Sequence, residues 1–183
     1  MTVSAELRTI YEQQTRVLRR HPALGRISAQ ANVKLVTELA CEARRANRIT
    51  RVDLPADEGG RDSAATPGDL IRAGLGACLA MGYRLWAARQ GVEVLAVEVD
   101  VTCELDVRGQ LGIADDVPIG WQRLLFEARV TSTAPTTDVR SVVECANRLS
   151  PLLANLSPAI ERVHTLTILR PQPMISTLDK ETP

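Results

Sequence analysis

Apolar residues in the first twenty positions recur every three or four: Val3, Leu7, Ile10, Tyr11, Val17 and Leu18, with Gln14 on the same line. That spacing draws one side of a helix, and Pro22 closes it. A helix docked on the body is the simplest reading; a helix that recruits a partner is the alternative. From Asn32 the period drops to two. In NVKLVTELACEARRANRITRVDLP the alternation runs through Val33, Leu35 and Thr37, turns near Arg45–Asn47 and resumes, which predicts two antiparallel strands. PADEGGRDSAATP is loop by composition. From about Pro67 to Gln90 the chain is apolar nearly all round, the pattern of a buried helix.

Alternation returns in VEVLAVEVDVTCELDV, a long strand. WQRLLFEARVTSTA is its expected partner, across the polar loop RGQLGIADDVPIG. Thr136 opens another helix, with Val139, Val142, Val143, Ala146 and Leu149 on one face. Ser150-Pro151 then reads as a helix restart, serine at the N-cap and proline at the first helical position. VHTLTILR is a last strand, and the polar residues beyond Pro171 are expected to form a mobile tail. Strands grouped in hairpins between helices predict an α+β fold rather than a doubly wound parallel sheet. The organisation expected is an N-terminal helix over residues 1–24, a domain over 25–171 and a tail over 172–183.

One stretch strains this picture. LIRAGLGACLAMGYRLW carries Gly74, Gly76 and Gly82 inside a helix, and each glycine costs roughly 1 kcal/mol there relative to alanine. Something must come close enough to offset that. Composition narrows what the chain does: 22 basic and 22 acidic residues cancel, so no general field draws nucleic acid or an anionic membrane surface. The N-terminal residues include Glu6 and Glu12 and lack a continuous apolar region, so no secretory signal is expected. The apolar run around Cys78 is bounded by Arg72 and Arg84 and falls short of the ~20 residues that span a bilayer. A cytoplasmic protein with reduced thiols is the expectation.

Four cysteines, Cys41, Cys78, Cys103 and Cys145, form no CxxC pair, and His21 and His164 are not placed beside them at metal-ligand spacing; no metal is expected. GLGACL lacks the third glycine of a dinucleotide fingerprint, where Leu79 stands, and follows a loop instead of a strand, so no nucleotide cofactor is expected either. Two histidines without a nucleophile elbow offer no serine triad. Cys103, in an alternating strand, and Cys145, on an apolar helix face, read as small buried hydrophobes; Cys41 carries no further signal. Cys78 stands apart because small residues around it leave room for a ligand or a second backbone.

From GGRDSAATPGDLIRAGLGACLAMGYRLWAARQGVEVLAVEVDV onward the chain resembles the OsmC/Ohr superfamily, the osmotically inducible and organic hydroperoxide resistance proteins. The resemblance continues through DVRGQLGIADDVPIGW, VTSTAPTTDV and CANRLSPLLANLSP, covering roughly Asn32 to Leu169. It implies antiparallel sheets wrapped around central cysteine-bearing helices in an intertwined homodimer. The glycines would then serve close packing at the interface.

The resemblance further implies a thiol peroxidase in which the residue matching Cys78 attacks a hydroperoxide and a second cysteine, in a Cys-Pro motif, closes a disulfide. Here that second position reads Ser150-Pro151. Cys145 is a poor substitute, since five residues of helix turn it about 140° from the direction of Ser150. The family's acid after the leading proline matches Asp69, Gly68 standing at the adjacent position. An activating arginine is expected from the early strands, where Arg48 is favoured over Arg44 and Arg45 because it alternates with Thr50 and Val52. The function implied is hydroperoxide reduction by Cys78 alone, recycled by an external thiol. A non-catalytic dimer that binds a small hydrophobic ligand is the alternative, and a regulatory dimer recruiting a partner through its N-terminal helix is the third reading.

Overall fold

The computed structural model describes residues 3–172; the tail expected beyond Pro171 lies, from residue 173, outside the described residues. Helix α1 spans Val3–Arg20. Its apolar line divides: Leu7 and Tyr11 turn inward, while Ile10 and Val17 stay about half exposed. Three strands follow instead of the expected two: β1 (Asn32–Thr37), β2 (Ala40–Arg45) and β3 (Arg48–Val52), antiparallel in that order. The unforeseen reversal falls at Glu38-Leu39, where Glu38 adopts a φ of 37°. No glycine, asparagine or proline marks it, so composition could not announce it.

Past β3 the buried Asp53 gathers the following loop. Its carboxylate accepts from the amides of Leu54, Arg61 and Ser63 and from the Ser63 hydroxyl at 2.6 Å. Those bonds, the Ser63 side chain first, hold its pKa down at about 2. The loop delivers Thr66, which caps helix α2 (Pro67–Gln90) in a reciprocal box with Asp69, and Gly91 closes the helix at a φ of 72°. Local signals thus set both ends of α2.

Within one chain α2 is not buried all round. Leu75, Gly76, Leu79, Tyr83, Ala87 and Ala88 face the core, whereas Ile71, Met81 and Leu85 are 55%, 60% and 45% exposed. The inner face packs on a second sheet of β4 (Ala96–Glu104), β5 (Arg123–Thr131) and β6 (Glu161–Leu169), in that order. β4 and β5 pair antiparallel from Ala96↔Thr131 to Glu104↔Arg123. β6, however, runs parallel to β5, from Arg123↔Glu161 to Thr131↔Leu169, so this sheet is mixed instead of antiparallel throughout. The cause is the connection: two helices, α4 (Thr136–Arg148) and α5 (Pro151–Ala154), carry the chain back to the sheet end where β5 began, as a parallel crossover requires. The loop between β4 and β5 also holds one turn of helix, α3 (Val107–Gln110), capped by Asp106.

The core is the space between these layers. Leu124, Phe126, Ala128 and Val130 of β5 meet Leu75, Leu79 and Tyr83 of α2 and Val139, Val142, Val143 and Ala146 of α4. Leu149, expected on the same face, is 52% exposed because α4 has already ended. Gly76 is the glycine of α2 set closest to the sheet: a Cβ there would touch Val101 Cγ2 at 3.4 Å and the Val99 carbonyl oxygen at 3.6 Å, which leaves room for a methyl but not for a larger side chain. Gly82 lies beside Ala146, and at Gly74 a Cβ would meet nothing within 4 Å. The element order and layers are those of an α+β fold. No described helix is long and apolar enough to cross a membrane.

Candidate active site

Heptad steps along α2 join Ile71, Gly74, Cys78, Met81 and Leu85, so Cys78 sits halfway along the outward apolar line of the helix. It is half-buried, because α5 begins beside it. The Cys78 sulfur lies 3.7 Å from Ser150 Oγ, a contact across 72 residues of chain. Ser150 is buried and caps α5, its oxygen accepting from the Leu153 amide at 3.3 Å, with Pro151 at the first helical position. The restart legible in Ser150-Pro151 is therefore present, and it stands over the thiol.

A neutral polar cluster fixes the approach to Ser150. Tyr83 is fully buried and donates to Asn147 Oδ1 at 2.7 Å, and the Asn147 amide lies 3.5 Å from His164 Nδ1. His164 stacks on Phe126 with centroids 4.7 Å apart. Burial lowers the histidine pKa and pushes Tyr83 up to about 12, so both stay uncharged near neutral pH. These bonds pin the last turn of α4 to α2 and β6, and through it the Ser150 cap. Sequence reasoning missed them, since their partners lie 64 and 17 residues apart.

The other expected site residues are placed elsewhere. Asp69 completes the capping box: its carboxylate accepts from the Thr66 amide at 2.9 Å and the Thr66 hydroxyl at 2.8 Å, and from Arg72 at 2.5 Å. The Thr66 amide, then its hydroxyl, then Arg72 hold that carboxyl below its ordinary range. Nine residues of helix separate it from Cys78, about 13 Å along the axis, so within one chain it does not touch the thiol. Arg48 pairs with Arg45 beside the exposed β2–β3 turn, and Arg44 bonds Glu42 at 2.5 Å. Among the described residues no arginine donates to Cys78.

An arginine does meet a different thiol. Arg72 Nη1 donates to the Cys103 sulfur at 3.4 Å while Nη2 is held by Asp69. The hydrogen bond to Cys103 first, then that to Asp69, holds the arginine above its ordinary value. Cys103 is half-buried on the side of β4 that faces α2, so the reading of it as a small buried hydrophobe leaves out this polar contact. Cys145, also half-buried, accepts from Arg148 at 3.7 Å; because α4 ends at Arg148, Ser150 lies past the helix on which Cys145 sits. All four thiols are free. Among the described residues no group of three or more histidine, cysteine and acidic side chains could hold a metal ion.

A protein-family model described as OsmC-like protein matches residues 60–163. No curated protein matches the sequence. Among solved structures, an OsmC-like protein from Mycoplasma pneumoniae superposes with a TM-score of 0.65 at 14% identity, covering 78% of this chain and 99% of that one. An organic hydroperoxide resistance protein from Elizabethkingia anophelis gives 0.61 at 16% identity, covering 78% and 99%. One from Legionella pneumophila gives 0.58 at 16% identity, covering 77% and 97%.

Proposed function

The chain belongs to the OsmC-like protein family, and from that premise we propose that it reduces organic hydroperoxides with Cys78 as its single peroxidatic thiol. The observation that carries the reading is the 3.7 Å contact between Cys78 and Ser150: the residue at the expected second-cysteine position lies against the expected first. Two structural relatives are named organic hydroperoxide resistance proteins, which supports the substrate class. The Cys78 thiolate would attack the terminal peroxide oxygen. The O–O bond breaks, the alcohol leaves after taking a proton, and Cys78 is left as a sulfenic acid. Ser150 cannot close a disulfide, so an external thiol, as a cytoplasmic setting supplies, would condense with the sulfenic acid, releasing water. A second thiol would then free Cys78. We propose further that a second copy of the chain covers the outward line of α2, giving a homodimer whose apolar interface borders Cys78.

The test is Ser150→Cys. Cumene hydroperoxide should drive a disulfide between Cys78 and the introduced cysteine, reversible by dithiothreitol, and turnover with a dithiol should exceed that of the parent protein. If Cys78 oxidises while the introduced thiol stays reduced, the correspondence of these positions fails. A non-catalytic dimer binding a small hydrophobic ligand is favoured by one observation, the lack of an arginine donating to Cys78 among the described residues. A Cys78 left unmodified by a large peroxide excess would decide for that reading.

A further inference from the structure

The cationic partner that a reactive thiol needs is present in this chain, at another cysteine. We propose that Cys103 is a second peroxide-reactive thiol, held for reaction by Arg72 at the crevice between α2 and β4. Arg72 directs Nη1 to the Cys103 sulfur at 3.4 Å and Nη2 to Asp69 at 2.5 Å. Asp69 is itself fixed by the Thr66 amide and hydroxyl, so the guanidinium is braced from the helix cap and cannot swing away freely. A cationic donor in contact with the sulfur is the surrounding in which reactive cysteines are found. Cys41 and Cys145 differ. Among the described residues the first meets only the Leu39 carbonyl oxygen, 4.0 Å away, and the second only the exposed Arg148 on its own helix turn.

Arg72 also lines a crevice of about 220 Å³, walled by Ala73, Gly76 and Ala77 of α2 and by Val99, Asp100 and Val101 of β4. The Asp100 carboxylate is engaged by Arg129, and Cys103 is not on this wall but adjoins it through Arg72. Gly76 leaves the crevice open, since a Cβ there would already touch Val101 and the Val99 carbonyl and a longer side chain would fill it. A mostly apolar wall with a guanidinium at one end suits an organic hydroperoxide: the carbon skeleton would lie along the valines and the peroxide group would meet the arginine, whose Nη1 touches the Cys103 sulfur. In the step proposed, the Cys103 thiolate attacks the terminal oxygen and the O–O bond breaks. Sulfur loses two electrons and becomes a sulfenic acid, and the alkoxide takes a proton from water. Arg72 retains unused N–H groups for that departing oxygen.

The choice of hydroperoxide rests on the family reading, whereas the Arg72–Cys103 pair does not, so the experiment removes Cys78. In the Cys78→Ser protein, treated with cumene hydroperoxide at pH 7 and a dimedone-type sulfenate trap, peptide mass spectrometry should find label on Cys103 and at most traces on Cys41 and Cys145. Adding Arg72→Gln should cut that label at least tenfold with an unchanged unfolding midpoint. Arg72→Lys, which keeps the charge, should retain an intermediate level and serves if the glutamine variant unfolds. Absence of label on Cys103, or equal label with and without the Arg72 substitutions, overturns the proposal. Either result leaves the fate of Cys78 in the parent protein to be read separately.

Discussion

The two sheets, with three strands each among the described residues, have opposite surroundings. In the second, β5 alternates buried residues with half-buried ones and the exposed Glu127 between its neighbours, and two helices cover one face. In the first, every residue of β1 is exposed, Val33 and Leu35 each at 59%, and Ile49 of β3 at 50%. A small sheet with apolar residues on open faces does not stand by itself in water; it needs a helix or another sheet against it. The same holds for the outward line of α2. The open face of the first sheet and the outward line of α2 are thus two uncovered apolar surfaces, beside single exposed residues such as Ile27, Ile113 and Ile119 in the connecting segments. A second copy set against both would bury more than one set against either.

Paired truncations make that contrast measurable. Leu79→Ala, at a site 1% exposed, should cost about 2–5 kcal/mol in urea unfolding, as deletions in packed cores do. Leu35→Ala should cost well under 1 kcal/mol if the first sheet stays open, and several if a second copy buries it. A Leu35→Ala cost close to that of Leu79→Ala, growing at low protein concentration, marks the covered case.

Glycines on opposite sides of α2 sharpen the comparison. Gly76→Leu forces a side chain against Val101 and the Val99 carbonyl and should cost about 1–3 kcal/mol by overpacking. At Gly74 an added methyl meets nothing within 4 Å of the same chain. In an isolated chain Gly74→Ala should stabilise by up to about 1 kcal/mol, and a facing helix would reverse that sign. Sedimentation equilibrium on this variant, compared with the parent, reads the difference directly.

The smallest effect concerns the joint between the sheets. Asp53 has its pKa lowered from 3.8 to about 2 by Ser63 and the loop amides. Because the folded value is the lower one, the carboxylate favours folding above pH about 4, and that contribution fades as pH falls through about 2. Asp53→Asn should unfold at a lower temperature than the parent at pH 7, and the gap should narrow between pH 4 and pH 2. A gap independent of pH would remove the carboxylate from this role.

What the sequence discloses and withholds divides along the range of the interactions. α2 begins at Pro67 and ends at Gln90 as its pattern predicts, because the Thr66–Asp69 box and Gly91 are local devices. Ser150 as a cap is legible for the same reason. The parallel sense of β6 is not, since partner choice is settled across more than thirty residues. Nor is the open face of α2, which reads as buried because apolar composition is blind to whether the cover comes from the same chain. Arg72 reads only as the end of an apolar run; its meeting with Cys103, 31 residues away, exists once β4 lies on the helix.

The parallel pairing of β5 with β6 also bears on how the protein is made. β4 and β5 can zip together as soon as both have left the ribosome, but β6 is synthesised only after α4 and α5, and it must pass them to reach its place. Until then one edge of β5 is unpaired, with Leu124, Phe126 and Val130 beside it, an invitation to pair with the wrong neighbour. Such late, long-range closure is slow relative to helix formation. Chaperone dependence during synthesis should therefore depend on β6 more than on any part of the candidate site.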